Sequence, residues 1–232
     1  MPRTARRLID GGVYHVVTRG NNGQILFREE ADSHYYLRAV AAYSQAHQVA
    51  VRHFVLMPSH VQLVLEVTRG EELSKAMLGI NLVYAWFYRR RYQYRGHLWQ
   101  GRFQSLLLNR ATDLLACGWR VELAPVLAGL VQDPATYVWS SYRAYAEGAD
   151  VPPVAPHPLY QALGATPDER RQQYRQLALE ALARERARAS MTGASPESND
   201  GHGESRFGLT GLTRARGRPR KVPDTFQSGK GI

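Results

Sequence analysis

The sequence predicts an α+β fold: a ferredoxin-like, split βαβ antiparallel sheet with helices on one face, followed by a C-terminal helix and a disordered basic tail. The main observation is the order of the hydrophobic patterns, which runs strand, helix, strand, strand, helix, strand, helix. A second observation is that only Pro58 and Ser59 separate two of the strands, which therefore pair as an antiparallel hairpin. A third is the change to Gly, Ser, Thr and Pro beyond about Ser190.

The predicted strands are short runs of β-branched, aliphatic and aromatic residues that end at turn residues. The first is closed by a Gly-Asn-Asn turn, and the second and third flank the Pro-Ser turn. The four strands are expected at residues 13–18, 49–57, 60–67 and near 103–108.

The predicted helices show apolar residues at three- and four-residue spacing. Pro125 should break or kink the third of them, because proline lacks a backbone donor. The last helix begins with Thr166 as N-cap, Pro167 as first helical residue and Glu169 completing a capping box. Together the long helices are expected at residues 29–47, 70–96, 112–134 and 166–190, with a short helical segment at 136–148.

Composition favours a nucleic-acid partner. The chain has 232 residues with 30 Lys and Arg against 20 Asp and Glu, a net charge of +10, and most of its cations are Arg. Arginine is the better bidentate ligand for phosphates and base edges. The plainer alternative is that this charge only keeps the protein soluble. The single cysteine, Cys117, excludes an internal disulfide framework and a thiolate metal cluster, and it is interpreted as a core residue.

The sequence shows no sign of secretion or membrane insertion. The N-terminus has no apolar signal core, and no apolar run is long enough to span a membrane. These observations predict a cytoplasmic, nucleoid-associated protein without a membrane partner.

His60 and Gln62 raise the question of a metal site. Side chains alternate along a strand, so both residues project from the face opposite to Val61, Leu63 and Leu65. Two histidines at this spacing would make a divalent-metal pair, but glutamine offers only a weak neutral oxygen. Judged locally, His60 is better interpreted as a turn-capping or partly buried polar residue.

Five motifs in a fixed order resemble one family. They are TRGNNGQILF, LMPSHVQLVLEV, LWQGRFQS, VELAPVLAGLV and YVWSSYRAY, and together they cover about residues 8–180. They resemble the REP-associated tyrosine transposases of the single-tyrosine HUH class. The resemblance implies a ferredoxin-like core and a His-hydrophobic-His metal site on a central strand. It also implies a helix-borne tyrosine that attacks single-stranded DNA beside a hairpin and forms a 5′-phosphotyrosine link.

Several family positions are altered in this chain. The first metal histidine matches His60, whereas the second matches Gln62. The nucleophile position of the helix motif holds Arg120, and the asparagine one turn later, the third ligand position, is Ala124. An arginine just beyond has become Leu127. The resemblance therefore predicts DNA binding without strand cleavage, and Mg²⁺ or Mn²⁺ would be needed only if activity is retained.

Two alternatives remain open from the sequence. A substitute tyrosine could restore metal-dependent cleavage, the candidates being Tyr84, Tyr88, Tyr137 and Tyr142. Alternatively, the scaffold could serve as an interaction module that does not bind DNA. The oligomeric state, monomer or homodimer, is also open.

The predicted DNA contacts are basic residues beside the aromatic motifs and in the tail. Arginines interleaved with Tyr and Trp suit phosphates and stacked bases, although the same pattern also suits a solvated helix end. The tail sequence GRPRK resembles an AT-hook that could lie in the minor groove of A/T-rich duplex. The predicted contacts are Arg19, Arg89, Arg90, Arg91, Arg95, Arg102, Arg120, Arg214, Arg216, Arg218, Arg220 and Lys221.

Three segments follow from these patterns. Residues 1–150 are predicted to form the transposase-like HUH core domain. Residues 151–190 form a C-terminal helical extension, and residues 191–232 form the basic tail with the AT-hook-like motif.

Overall fold

The computed structural model describes residues 8–108 and 111–192. Contacts group Met1–Pro196 into one compact unit, and the second unit, Glu197–Ile232, lies outside the described residues. The strands are β1 (Val13–Arg19), β2 (Val49–Met57), β3 (His60–Val67) and β4 (Gln104–Leu108). The helices are α1 (Glu30–Ala46), α2 (Gly70–Tyr92), α3 (Ala111–Glu122), α4 (Ala124–Leu127), α5 (Tyr142–Ala146), α6 (Pro158–Gln161) and α7 (Pro167–Thr192).

The four strands form one antiparallel sheet in the order β2-β3-β1-β4. This order is that of two interleaved βαβ units, so the predicted ferredoxin-like α+β fold is confirmed. The register places Arg19 opposite His60 and Val17 opposite Gln62 on the central strands. Residues of β1 and β3 that share a face are thereby fixed beside one another.

One face of the sheet carries the main core. Val61, Leu63 and Leu65 of β3 are buried there, as alternation predicts, and α1 and α2 cover them. The helices contribute a predominantly apolar set of side chains to this core, with Tyr36, Val40, Leu73, Met77, Ile80, Tyr84 and Tyr88 all fully buried. The two helices that connect the strands therefore lie on one face, as predicted.

The opposite face is covered by α3, which the sequence pattern did not reveal. Val55, Met57 and Val64 of the sheet pack there against Cys117 and Val121 of the helix. A bulge between Val51 and His53 turns the following β2 residues, so that His53 also points to this face. Both faces of the sheet are thus occupied, and Cys117 is a core residue as predicted.

The close approach of α3 depends on Gly118. A Cβ atom at this position would lie 2.5 Å from Nε2 of the buried His53 ring. That distance is well inside van der Waals contact, so a larger residue would push the helix off the sheet. The helix ends at Glu122, and a short separate helix begins at Ala124 with Pro125 in its first turn, as expected from the proline.

The C-terminal helix α7 packs on α3 and α5. Its start has the predicted capping box, in which the Glu169 amide donates to Thr166 and the Thr166 amide donates to the Glu169 carboxylate. Tyr174, Ala178 and Leu182 are its buried residues. The three segment boundaries predicted from the sequence patterns stay a prediction.

No helix among the described residues has the length and hydropathy to span a bilayer.

Candidate nucleic-acid interface

His60 stands at the first position of β3, immediately after the Pro58-Ser59 turn. Its Cα partner on β1 is Arg19, and alternation directs both side chains to the α3 side of the sheet. Burial and, to a smaller extent, the positive charge of Arg19 together lower the pKa of His60 to about 4. The imidazole is therefore neutral at physiological pH.

Gln62 bridges two histidines rather than one. His15 Nε2 lies 3.0 Å from Gln62 Oε1, and Gln62 Nε2 lies 3.3 Å from His60 Nε2. The amide oxygen can only accept and the amide nitrogen can only donate, so His15 donates through Nε2 and His60 accepts through Nε2. The result is a hydrogen-bonded row of neutral groups, His15, Gln62 and His60, across the two central strands.

Arg120 reaches this row from the last turn of α3. Burial lowers the pKa of His15, the hydrogen bond that His15 donates to Gln62 opposes that change, and the charge of Arg120 adds to the lowering. The Arg120 side chain is 35% exposed and forms an ion pair with Glu185 of α7 at 3.4 Å. The structure therefore brings His60, Gln62 and Arg120 to one face, together with Arg19 and His15.

Ala124 lies at the edge of the same face. It packs beside the Val55, Met57 and Val64 cluster, and its methyl group carries no donor atom. Cys117, the nearest thiol on α3, is held protonated because burial raises its pKa to about 12. The position predicted to complete a metal site is thus filled by an apolar contact.

A divalent metal does not fit these residues. Among the described residues, no three His, Cys, Asp or Glu side chains come together in a way that could hold a metal ion. The lone pair of His60 that would bind a metal already accepts a hydrogen bond from the Gln62 amide. Arg19 and Arg120 also add positive charge, since both lower the pKa of a neighbouring histidine. A field that disfavours a protonated imidazole disfavours a metal cation for the same reason, and it favours an anion.

The candidate substitute tyrosines are engaged elsewhere. Tyr84 and Tyr88 are buried in the core on the other face of the sheet and donate to the carbonyls of Leu26 and Ile25. Burial raises the pKa of Tyr84 well above its usual value. Both hydroxyls are therefore turned away from the His60 face.

The other two candidates are held in a similar way. Tyr137 packs on the α3 side of the sheet, but its hydroxyl donates to the Leu56 carbonyl at 2.6 Å, and burial raises its pKa to about 12. Tyr142 is buried, and burial together with the charge of Asp133 raises its pKa to about 12. Raised pKa values at Tyr84, Tyr137 and Tyr142, together with the bond from the Tyr88 hydroxyl to the Ile25 carbonyl, disfavour all four as nucleophiles.

The predicted arginines near the end of α2 lie apart from the His60 face. Arg89 donates to the Gly96 carbonyl, and Arg91 is paired with Glu29 and Asp32. The Arg89 contact stabilises the loop after α2, and the Arg91 contacts hold the end of α2 against the start of α1. Arg90, Arg95 and Arg102 are exposed, whereas the predicted tail contacts Arg214, Arg216, Arg218, Arg220 and Lys221 lie outside the described residues. The role of all these residues in DNA contact stays a prediction.

Sequence reasoning missed a buried polar network behind Arg120. Glu122 is fully buried, and its carboxylate accepts hydrogen bonds from His53 Nδ1 at 2.9 Å, Ser141 Oγ at 2.5 Å and Tyr174 OH at 2.6 Å. These donors come from β2, from the residue before α5 and from α7. One carboxylate therefore fixes α3 to three other parts of the fold, two residues from Arg120.

His15 was also missed, although a signal for it exists. Alternation on β1 places His15, Val17 and Arg19 on one face, and antiparallel pairing with β3 puts that face beside Gln62. The register was the missing information. For Glu122, the signal is a carboxylate between the apolar residues Val121 and Leu123, which must find donors if the helix buries it.

Among the known structures that resemble this chain, one has the same fold. A REP-associated tyrosine transposase bound to a REP hairpin aligns with a TM-score of 0.53 and 18% identity, covering 68% of this chain and 93% of that one. A candidate transposase from Deinococcus radiodurans R1 aligns with a TM-score of 0.36 and 15% identity, covering 48% and 90%. A tRNA(His) guanylyltransferase from Saccharomyces cerevisiae gives 0.37 and 11%, covering 76% and 81%.

Comparison by sequence is more specific. No curated protein matches the chain. The family model described as "Transposase IS200 like" matches residues 9–114, which include the sheet, α1, α2 and the row formed by His15, Gln62 and His60. The family resemblance predicted from the motifs is therefore confirmed over residues 9–114, the part of the chain that matches the IS200-like transposase family.

Proposed function

We propose that this protein is a transposase-like DNA-binding protein that holds hairpin or single-stranded DNA without cutting it. The observation that carries the proposal is Arg120, which takes the nucleophile position of the helix motif and acts electrostatically on the row of neutral His15, Gln62 and His60. A phosphate placed there would meet Arg120 and Arg19 instead of a tyrosine and a metal.

The choice of hairpin or single-stranded DNA rests on two supports. The structural relative with the same fold was solved with a REP hairpin bound. The net charge of +10 suits a polyanionic partner, which would place the protein at the nucleoid. The GRPRK segment of the tail would add a contact to A/T-rich duplex.

We further propose that the site takes neither Mg²⁺ nor Mn²⁺ as a cofactor. Support comes from the amide that occupies His60 Nε2 and from the two neighbouring arginines. Calorimetric titration with Mn²⁺ should give no binding to the native protein. The triple variant Gln62→His, Arg120→Tyr, Ala124→Asn is the positive control, since it returns the two missing metal ligands and replaces the Arg120 cation with the tyrosine. Tight Mn²⁺ binding by the native protein would contradict the proposal.

The second candidate function is metal-dependent cleavage with a substitute tyrosine. Covalent capture separates it from binding alone. The protein is incubated with single-stranded DNA that carries a hairpin, in the presence of Mn²⁺, and then denatured. We expect no DNA-linked protein, because the hydroxyls of Tyr84, Tyr88 and Tyr137 are bonded to carbonyl oxygens. A denaturation-resistant adduct would overturn the non-cleaving proposal.

The third candidate, a scaffold that does not bind DNA, is tested by affinity. Fluorescence anisotropy with a labelled hairpin should show binding that weakens steeply as salt rises, since each neutralised phosphate releases a counterion. Absence of binding at low salt would leave only the interaction-module function.

A further inference from the structure

Helix α2 presents an exposed indole beside an exposed guanidinium near its C-terminal end. Trp86 is 58% exposed, and Arg90 follows it four residues later on the same ridge of the helix. The guanidinium carbon of Arg90 lies over the Trp86 ring, 5.5 Å from its centroid. Arg90 therefore covers one side of the indole, and much of the ring stays open to solvent.

Arg90 differs from its neighbour Arg91 in having no acidic partner. Arg91 is paired with Glu29 and Asp32, whereas no carboxylate among the described residues pairs with Arg90. The helix dipole accounts for arginines at the C-terminal end of α2, but not for an exposed indole beneath one of them. The cation beside Trp86 is thus available to a phosphate.

A second pair of a cation and an aromatic ring adjoins the first, from helix α1. The Tyr35 ring stacks on Phe87 with 3.8 Å between centroids, and Arg38 lies over Tyr35 at 5.7 Å. Phe87 is the residue after Trp86, and both Phe87 and Tyr35 are partly exposed. Arg38 is exposed and, like Arg90, has no acidic residue three or four positions away on its helix. The five residues Tyr35, Arg38, Trp86, Phe87 and Arg90 are here called the α1–α2 surface.

We propose that the α1–α2 surface binds unpaired nucleotides of single-stranded DNA, with bases stacked on its rings and phosphates held by Arg90 and Arg38. An aromatic ring accepts the face of any unpaired base, and a neighbouring guanidinium neutralises the phosphate beside that base. The bases of a duplex are already stacked on one another, so they cannot use such a surface. Binding through stacked faces is also expected to tolerate changes of base sequence.

This inference rests on the proposed DNA-binding function but uses the opposite side of the sheet. Helices α1 and α2 cover one face, whereas α3 with Arg120 covers the other. A hairpin held at Arg120 therefore leaves the α1–α2 surface free for an unpaired arm of the same DNA. An arm long enough to pass around the edge of the sheet should raise the affinity, because the second contact is then intramolecular.

Fluorescence anisotropy with two labelled ligands tests the inference on the full chain. One ligand is a blunt hairpin with a short loop, and the other is the same hairpin extended by a run of unpaired thymidines. The native protein should bind the extended hairpin more tightly. Trp86→Leu keeps an apolar side chain but removes the indole, so it should weaken binding of the extended hairpin about five- to 150-fold, the range for one lost base stack. Its affinity for the blunt hairpin should not change.

The salt dependence of affinity tests the role of Arg90. Arg90→Gln should lower the slope of log affinity against log salt by about 0.7 for the extended hairpin, the value for one phosphate contact on a single strand. Arg69→Gln is the matched control, since it removes the same charge about 30 Å away at the other end of α2 and should leave that slope unchanged. The side chains are exposed, so all variants should keep the native circular dichroism spectrum.

A photo-cross-link gives the position of the arm directly. An extended hairpin with iodouracil in its unpaired arm should, on irradiation, become attached to the peptide that contains Trp86. Attachment only to peptides of the His60 face would contradict the inference.

The outcomes separate this inference from the proposed function. If Trp86→Leu with Arg90→Gln binds the extended hairpin as tightly as the native chain, the α1–α2 surface does not bind DNA, even where Arg19→Gln with Arg120→Gln weakens both ligands. If Arg19→Gln with Arg120→Gln leaves both affinities unchanged while Trp86→Leu weakens the extended hairpin, the inference stands and the His60 face is not the DNA site.

Discussion

At the scale of single residues, His60 is the group whose protonation the fold resists most clearly. Its pKa is lowered to about 4 from a usual value of 6.5, chiefly by burial and then by Arg19. The unfolded chain therefore binds a proton on this histidine between pH 6.5 and pH 4, while the folded chain does not. Stability linked to His60 is complete above pH 6.5 and is lost as pH falls towards 4.

This linkage predicts a fall in the free energy of unfolding of about 2 kcal/mol from His60 between pH 7 and pH 5. His15 contributes with the same sign, since its pKa is also lowered. Urea denaturation of native protein and of His60→Gln at both pH values measures the difference, and the variant should lose less stability on acidification. His34→Gln, a change at an exposed histidine on α1, should leave the native pH dependence in place. An equal loss in native protein and His60→Gln would contradict the assignment.

The residue scale also shows what the sequence could predict. The motif positions of His60, Gln62, Arg120 and Ala124 were readable because each lies in a contiguous motif. Their assembly depends on the pairing of β1 with β3 and on α3 crossing the second face, which are long-range contacts. Local patterns carry no information on such contacts, so His15 could be found only once the register was known.

At the scale of elements, the placement of α3 depends on Glu122. The carboxylate is fully buried and accepts three hydrogen bonds from three other elements. Such a group stabilises the fold only while all its donors remain, because a buried charge without partners is costly. The network thus ties the helix that bears Arg120 to β2 and to α7.

We predict an order of stability losses for variants of this network. Glu122→Gln should cost about 2–4 kcal/mol, because an amide donor would face groups that already donate. Tyr174→Phe removes one donor to a carboxylate and should cost about 1.5–3 kcal/mol. Tyr160→Phe, whose hydroxyl donates to the neutral Tyr145 carbonyl, is the comparison and should cost about 0.5–1.5 kcal/mol. Denaturant titration gives all three values. A loss for Glu122→Gln no larger than that for Tyr160→Phe would show that the placement of α3 does not depend on the Glu122 network.

Glu185 of helix α7 is expected to affect DNA binding at the His60 face. Its carboxylate pairs with Arg120 at 3.4 Å and would compete with a phosphate for the same guanidinium. Glu185→Gln should therefore increase hairpin affinity about two- to five-fold, within the range of an exposed ion pair. Glu180→Gln makes the same change in net charge five residues earlier, at a residue that pairs with Arg184 on the same helix. Anisotropy should show a smaller gain for it, and equal gains would mean that only total charge matters.

Helix boundaries illustrate which elements the sequence could predict well. Thr166 and Glu169 form the expected capping box, and Pro125 separates α3 from α4 as expected, because caps and prolines act on their immediate neighbours. The face that each helix covers is set by packing between distant segments. Helix α3 has the same amphipathic pattern whichever side of the sheet it joins, and only the structure shows that it lies opposite α1 and α2.

At the scale of the whole molecule, the predicted DNA contacts divide between two regions. Arg19 and Arg120 belong to the face with His60, whereas Arg95 and Arg102 are exposed in the segment between α2 and β4. Both pairs contribute equally to the net charge of +10. Long-range attraction depends on total charge, but counterion release depends on which side chains touch phosphates. The salt dependence of affinity can therefore separate a contact from a general field.

We predict that Arg19→Gln with Arg120→Gln lowers the slope of log affinity against log salt by about 1.4–1.8, the value for two lost phosphate contacts. Arg95→Gln with Arg102→Gln removes the same charge and should leave the slope almost unchanged. Hairpin anisotropy from about 50 to 200 mM salt measures both slopes. The reverse ranking would move the DNA to the segment after α2. If both double variants lower the slope only slightly and by the same amount, neither region makes the main phosphate contacts. The counterions released on binding would then have to come from contacts at other residues.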